Sequence, residues 1–201
     1  MALRAAVRSA LGADATDPFF KNAVVDDKIN EAVQFIATDR DWPWLEATTT
    51  ITTVSGTAGY SLPTDWARTQ TVAVNGRQAR PMSIEDYRQA ESTDGLTPYR
   101  YCIYASQILL HPTPGEVFTV RHDYIKTEPS LSGDNDEPLI PDRFSYAIVA
   151  RACGQLSNRG NDGRIPTFAR DYDMWRLRML DELNKHRGPS RVRVRPGYIG
   201  P

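Results

Sequence analysis

The sequence predicts an α+β protein: a helical bundle built from both ends of the chain, an inserted small antiparallel β-sandwich or barrel, and an extended C-terminal arm. Three observations predict it. Apolar residues recur at helical spacing near the N-terminus and again after residue 140, while residues 47–130 are rich in β-branched residues and turn dipeptides. The last stretch, after Arg187, is mostly Gly, Pro and Arg with short apolar residues between them.

The first helix is marked by Leu3, Val7, Ala10 and Leu11 and breaks at Gly12. Ile29, Ala32, Val33 and Ile36 form a second stripe. Asp26 and Asp27 precede it, where a helix dipole favours negative charge, and it stops before Trp42-Pro43-Trp44. From Ala47 the period changes. Thr48–Val54, Gln70–Val74, Arg77–Met82, Tyr99–Tyr104, Gln107–His111 and Val117–Tyr124 read as strands, with Asn75-Gly76 as a tight type I′ turn. A short helix at Ser83–Gln89 interrupts them, with Ser83 and Asp86 placed to form a capping box.

Helical spacing returns with Phe144, Ala147, Ile148, Ala152 and Leu156, which stop near Asn158-Arg159-Gly160. Ile165, Phe168, Tyr172, Trp175, Met179 and Leu183 then mark a long amphipathic helix that ends at Arg187-Gly188-Pro189. Each terminal helix needs a partner for its apolar stripe, and the simplest partner is the other end of the chain. The expected organisation is therefore 1–46 for the N-terminal helices, 47–130 for the β insertion, 131–186 for the C-terminal helices and 187–201 for the arm.

Composition narrows the function classes. A 40% hydrophobic and 24% charged chain of 201 residues is that of a folded globular protein. It contains no run of about 18 apolar residues and no signal-peptide core, so a soluble, unexported chain with no membrane partner is expected. Cys102 and Cys153 make no CxxC pair and read as buried thiols suited to a reducing cytosol.

The net charge of −1 conceals an asymmetry. Of 24 Lys and Arg, residues 142–201 hold 12, against 6 of the 25 Asp and Glu, which leaves 12 against 19 in residues 1–141.

Catalytic signatures are not found. His111, His122 and His186 share no HxxxH spacing and read as strand or surface residues. Asp134, Asp136 and Glu137 lack the offsets of an EF-hand and read as a solvated acidic loop. Gly56 and Gly59 fit a hairpin, with no Lys-Ser or Lys-Thr pair to make a P-loop. No catalytic residue, metal site or cofactor is expected, and the chain is read as a non-enzyme.

Two groups of residues remain. Trp42, Trp44 and Trp66 could stack on single-stranded nucleic acid, but their neighbourhood supplies Asp39, Asp41, Glu46 and Asp65 as well as Arg40 and Arg68, so packing at a domain junction, with Tyr60, is the better reading. The arm is different. Arg187, Arg191, Arg193 and Arg195 alternate in part with Val192 and Val194, and Tyr198 and Ile199 follow. That alternation suits a strand added to another protein's sheet edge, its valines on one side and its charges on the other. An unused tail is the alternative.

The order of features resembles a known family. Asp41-Trp42-Pro43-Trp44-Leu45-Glu46 ends a helix, a Thr-rich strand follows, and then comes Gly59-Tyr60-Ser61-Leu62-Pro63-Thr64-Asp65-Trp66. Pro98-Tyr99-Arg100-Tyr101, Ile108-Leu109-Leu110-His111-Pro112-Thr113-Pro114 and the Tyr124–Pro141 stretch, with Leu131-Ser132 and Glu137-Pro138, continue the pattern. Over about residues 25–185 the chain resembles the head-to-tail connector adaptors of tailed phages, in the type with a β-domain insertion that gene transfer agents also carry.

The resemblance implies a ring, commonly of about twelve copies, bound beneath the portal protein at the vertex through which DNA passes. It also implies a C-terminal segment that grips the portal, in agreement with the arm read from the residues alone. Expected partners are the portal, further copies of the chain, a downstream stopper, nozzle or tail tube protein, and DNA that passes without sequence readout. Location in the virion neck, and in the host cytoplasm during assembly, would follow. A nucleic-acid-binding protein that uses its basic C-terminal region is the alternative function.

Overall fold

A computed structural model of the chain describes residues 2–14, 16–90, 96–133, 135–159 and 163–187. In chain order the first half runs α1 (Ala2–Leu11), α2 (Asn22–Asp39), a 3-10 turn (Pro43–Leu45), β1 (Glu46–Thr52), β2 (Gly59–Ser61), β3 (Trp66–Val74), β4 (Arg77–Gln78), β5 (Arg80–Pro81) and α3 (Ile84–Gln89). The second half adds β6 (Arg100–Tyr104), β7 (Gln107–His111), β8 (Thr119–Lys126), a 3-10 turn (Asp142–Phe144), α4 (Ser145–Arg159) and α5 (Ile165–Arg187). The fold is mixed α+β. Its contacts divide into two compact units, residues 1–43 with 130–201, and residues 44–129. No helix among the described residues is long and apolar enough to cross a membrane.

In the helical unit, Val25, Ile29, Ala32, Val33, Ile36 and Ala37 of α2 are buried, the stripe expected of a 3.6-residue period. Gly12, at a φ of 67°, closes α1 in the left-handed conformation that spares a side chain its clash, and the Ala13 N–H reaches back to the Arg8 carbonyl at 2.9 Å. The start of α2 differs from expectation. The helix begins at Asn22, so Asp26 and Asp27 fall beyond its first turn, and Asp26 pairs instead with Arg4 of α1.

The helix α4 packs against α1, α2 and α5. One apolar face was expected there, yet Val149, Ala150 and Cys153 are buried along with Ala147, Ile148, Ala152 and Leu156, because three neighbours surround the helix. Fully burying each large aliphatic side chain contributes about 1.5–3 kcal/mol. On α5, Tyr172, Met179 and Leu183 are buried while Ile165, Phe168 and Trp175 are half-covered. A bidentate ion pair from Arg176 to Asp39, at 2.9 and 3.1 Å, ties α5 to the end of α2.

The β unit holds two four-stranded sheets, in the orders β1-β8-β3-β4 and β2-β7-β6-β5. They remain separate sheets, which excludes the closed barrel, and one pair, β5 with β6, is parallel. Val72, Val74, Phe118 and Val120 share one core cluster with Tyr101, Ile108 and Leu110 of the second sheet. The Asn75-Gly76 turn has positive φ at both residues, 45° and 76°, as a type I′ hairpin requires.

The expected single strand over Arg77–Met82 is instead two. The chain pairs with β3 at Arg77–Gln78, buries Ala79, whose N–H donates to the Val72 carbonyl at 2.8 Å, and joins the other sheet at Arg80–Pro81. Gly59, expected in a hairpin turn, opens β2 (Gly59–Ser61), and β8 starts at Thr119 rather than Val117. Ser83 caps α3 by accepting the Asp86 N–H at 3.0 Å.

Candidate docking surfaces

Within the helical unit, α1, α2, the start of α4 and the loop before it enclose a groove of about 630 Å³. Its floor is apolar: Ile29, Ile140, Ile148 and Val149 line it and are buried. Its rim is charged, through Arg4, Asp26, Asp136, Glu137 and Asp142.

The rim residues are not equivalent. Asp26 is occupied by the Arg4 guanidinium, which donates Nε and Nη2 to its two oxygens at 2.7 Å each. Asn30 anchors the loop to α2 by a reciprocal pair, its side-chain amide donating to the Leu131 carbonyl at 2.9 Å and its oxygen accepting the Leu131 N–H at 2.7 Å.

Asp136 folds the loop on itself. Its carboxylate accepts the Gly133 and Ser132 N–H groups at 2.7 Å and the Ser132 hydroxyl at 3.1 Å, and these bonds hold the carboxyl below its usual range. The acidic loop therefore spends Asp136 on its own backbone. Glu137 and Asp142 are exposed, and among the described residues neither carboxylate has an ion-pair partner.

A second surface lies on α4 and α5, where Tyr146 stacks on Trp175 at 6.0 Å and the Arg178 guanidinium covers the same indole at 4.6 Å. Leu177, at 66% exposure, adds apolar area to α5.

The expected junction residues take separate places. Trp42, the buried end of the helical unit, donates its indole N–H to the Ile36 carbonyl at 2.6 Å and so satisfies one of the orphan carbonyls at the end of α2. Trp44 lies in the 3-10 turn that opens the β unit. Trp66 begins β3 and donates to the Thr69 hydroxyl at 3.1 Å. Tyr60 locks the β1–β2 connection: its hydroxyl accepts the Val54 N–H at 2.9 Å and donates to the Thr57 carbonyl at 2.8 Å. Arg187 is the last residue of α5. Arg191, Val192, Arg193, Val194, Arg195, Tyr198 and Ile199 lie outside the described residues, as does Asp134 of the acidic loop.

Sequence reasoning passed over several organising residues of the β unit. Asp65 accepts the Tyr124 hydroxyl at 3.0 Å and, through its backbone carbonyl, the Thr127 N–H at 2.6 Å. Asp123 accepts hydroxyls from Thr48 and Thr71 at 2.7 Å each. Burial pushes its carboxyl up, but those bonds and nearby Arg121 prevail and leave it below the usual range. His122 is buried on β8 with its Nε2 2.9 Å from the Thr69 hydroxyl, and burial lowers its pKa. Burial likewise raises both thiols, Cys153 to about 12, so neither is a ready nucleophile.

What the geometry offers is packing, turn-locking and docking surface. A family model described as SU10 adaptor protein matches residues 2–196 of this chain. The chain belongs to that family. No curated protein matches it. The SU10 adaptor match spans both compact units and continues past the end of α5, so the resemblance to phage head-to-tail adaptors carried by Asp41–Glu46 and Gly59–Trp66 holds across nearly the whole chain. The protein is thus a phage structural component of adaptor type, a family whose place is the virion neck.

Proposed function

We propose that this SU10 adaptor performs no catalytic step and assembles as a ring of about twelve copies beneath the portal, where it continues the DNA channel and presents a lower surface to a stopper, nozzle or tail tube protein. The observation that supports this reading most is the family match over residues 2–196, which takes in both units and part of the arm.

In this reading the four helices of the helical unit act as a bundle, and the β unit is an inserted sandwich. The arm, from Arg187 through Arg191, Arg193 and Arg195 to Tyr198 and Ile199, docks on the portal. A ring uses head-to-tail contacts, one face of each copy meeting a different face of the next, and opposite charge on different faces favours that register. The split between an acidic residue 1–141 segment and a basic residue 142–201 segment supplies such charge. Subunits accumulate in the host cytoplasm until portals are available, and packaged DNA passes without being read.

A second reading, nucleic-acid binding through the C-terminal region, is favoured by that basic excess alone. Omitting the chain from particle assembly separates the two. Heads that carry a portal but no tail when viewed by electron microscopy are the expected result. Normal tailed particles would overturn the adaptor reading, and would leave strongly salt-dependent DNA binding as the property to pursue.

A further inference from the structure

We infer that the groove of the helical unit holds the chain's own basic arm, residues 188–201, before the arm is handed to the portal. The inference rests on the adaptor reading for what the arm does next, but not for the contact itself.

The groove joins an apolar floor of Ile29, Ile140, Ile148 and Val149 to a rim on which Glu137 and Asp142 have no cationic partner among the described residues. Asp136 and Asp26 are engaged by their own loop and by Arg4, so Glu137 and Asp142 carry the rim charge left for a ligand. Residues 188–201 contain Arg191, Arg193 and Arg195, the apolar Val192, Val194 and Ile199, and no acidic residue. In an extended run alternate side chains point to opposite faces. The valines would meet the floor while the flanking guanidinium groups meet the rim.

Arg143, next to Asp142, forms an ion pair with Glu182, which places the C-terminal half of α5 beside the start of α4 and the groove mouth. From Glu182 the helix runs on to Arg187, a rise of about 8 Å. The 14 residues after it (201 − 187) span up to about 46 Å when extended, at about 3.3 Å each. Tethering makes the encounter intramolecular, at an effective concentration in the millimolar range, so weak contacts suffice.

Occupying the groove would keep the arm off incorrect partners until a portal competes for it. The test uses three full-length chains and a fluorescent peptide of residues 188–201, with anisotropy read at low salt. The first chain is unaltered, the second carries Arg191→Glu, Arg193→Glu and Arg195→Glu, and the third adds Glu137→Lys and Asp142→Lys to those. Equal melting temperatures would confirm that all three fold alike.

The charge-reversed chain, its groove vacated, should bind the peptide at least ten-fold more tightly than the unaltered chain, and the third chain should lose that binding. Equal binding by the first two chains would overturn the inference, pointing to a groove open to a second copy's arm. Binding that survives Glu137→Lys and Asp142→Lys, or no binding to any chain, would overturn it as well. Portals are absent throughout, so failure here is distinct from failure of the adaptor reading.

Discussion

The two units of the chain spend their polar groups differently. In the β unit, side chains that link strands and turns are satisfied internally: Tyr60 closes the β1–β2 connection, Asp65 joins Tyr124 and Thr127, Asp123 joins Thr48 and Thr71, and Thr53 accepts the Phe118 N–H at 2.7 Å. The helical unit also has its ties, Arg4 to Asp26 and Arg176 to Asp39, but it leaves Glu137 and Asp142 on the rim of an apolar groove. The β unit's polar side chains named here are spent on its own strands and turns, while the helical unit carries two rim carboxylates that pair with none of the described residues.

Perturbing the helical unit's packing should have the largest effect on stability. Trp42→Ala removes a buried indole and uncovers the Ile36 carbonyl. A loss of about 3–5 kcal/mol is expected in denaturant unfolding. Trp42→Phe, which keeps most of the packing and loses the N–H donor, should cost only about 1 kcal/mol.

Within the β unit the buried His122 provides a pH signature. Burial holds its folded pKa below the ordinary 6.5, so the unfolded chain takes up a proton first as pH falls. Its contribution to stability is complete above pH 6.5 and declines as pH drops below that value towards the folded pKa. The decline is at most about 1.4 kcal/mol per pH unit. Melting curves of the unaltered chain and of His122→Gln between pH 7 and 5 should differ in slope, with the variant flatter; parallel curves would remove His122 as the cause.

The ion pair between Arg176 and Asp39, partly exposed, should matter less. Asp39→Asn is expected to lower stability by about 1 kcal/mol, measured at moderate salt, because solvent screens such pairs. The smallest expected change is a gain. Ala105 and Ser106 form the β6–β7 turn with positive φ, 49° and 59°, which suits glycine or asparagine better. Ala105→Gly should raise stability by about 0.5–1 kcal/mol, visible as a small increase in melting temperature.

These particulars show what periodicity and turn chemistry reveal. The α2 stripe and the Asn75-Gly76 hairpin depend on nearest neighbours in sequence, so they were legible. The sheet switch at Ala79 was not, since nothing in Arg77–Met82 says that the chain leaves one sheet for the other. Nor was the burial of Val149, Ala150, Cys153 and Ser157 beyond the expected stripe of α4, which follows from the three helices packed against it.

The groove was illegible for a related reason. Its walls come from residues 3–6, 26–30 and 131–149, segments that only tertiary packing brings together. The acidic loop is visible in the sequence, and its Glu137 is one of two rim carboxylates without an ion-pair partner among the described residues. The indole N–H groups of Trp42 and Trp66 bond within their own units. Residues 188–201, the expected arm, lie outside the described residues.

The central claim is that this chain binds a portal and needs its arm to do so. The most direct measurement mixes purified portal rings with the intact chain, or with a chain ending at Arg187, and weighs the products by native mass spectrometry. The account predicts a discrete complex of about twelve intact copies per portal ring and little or none with the shortened chain. Portals that emerge unchanged in mass from the intact chain would contradict it.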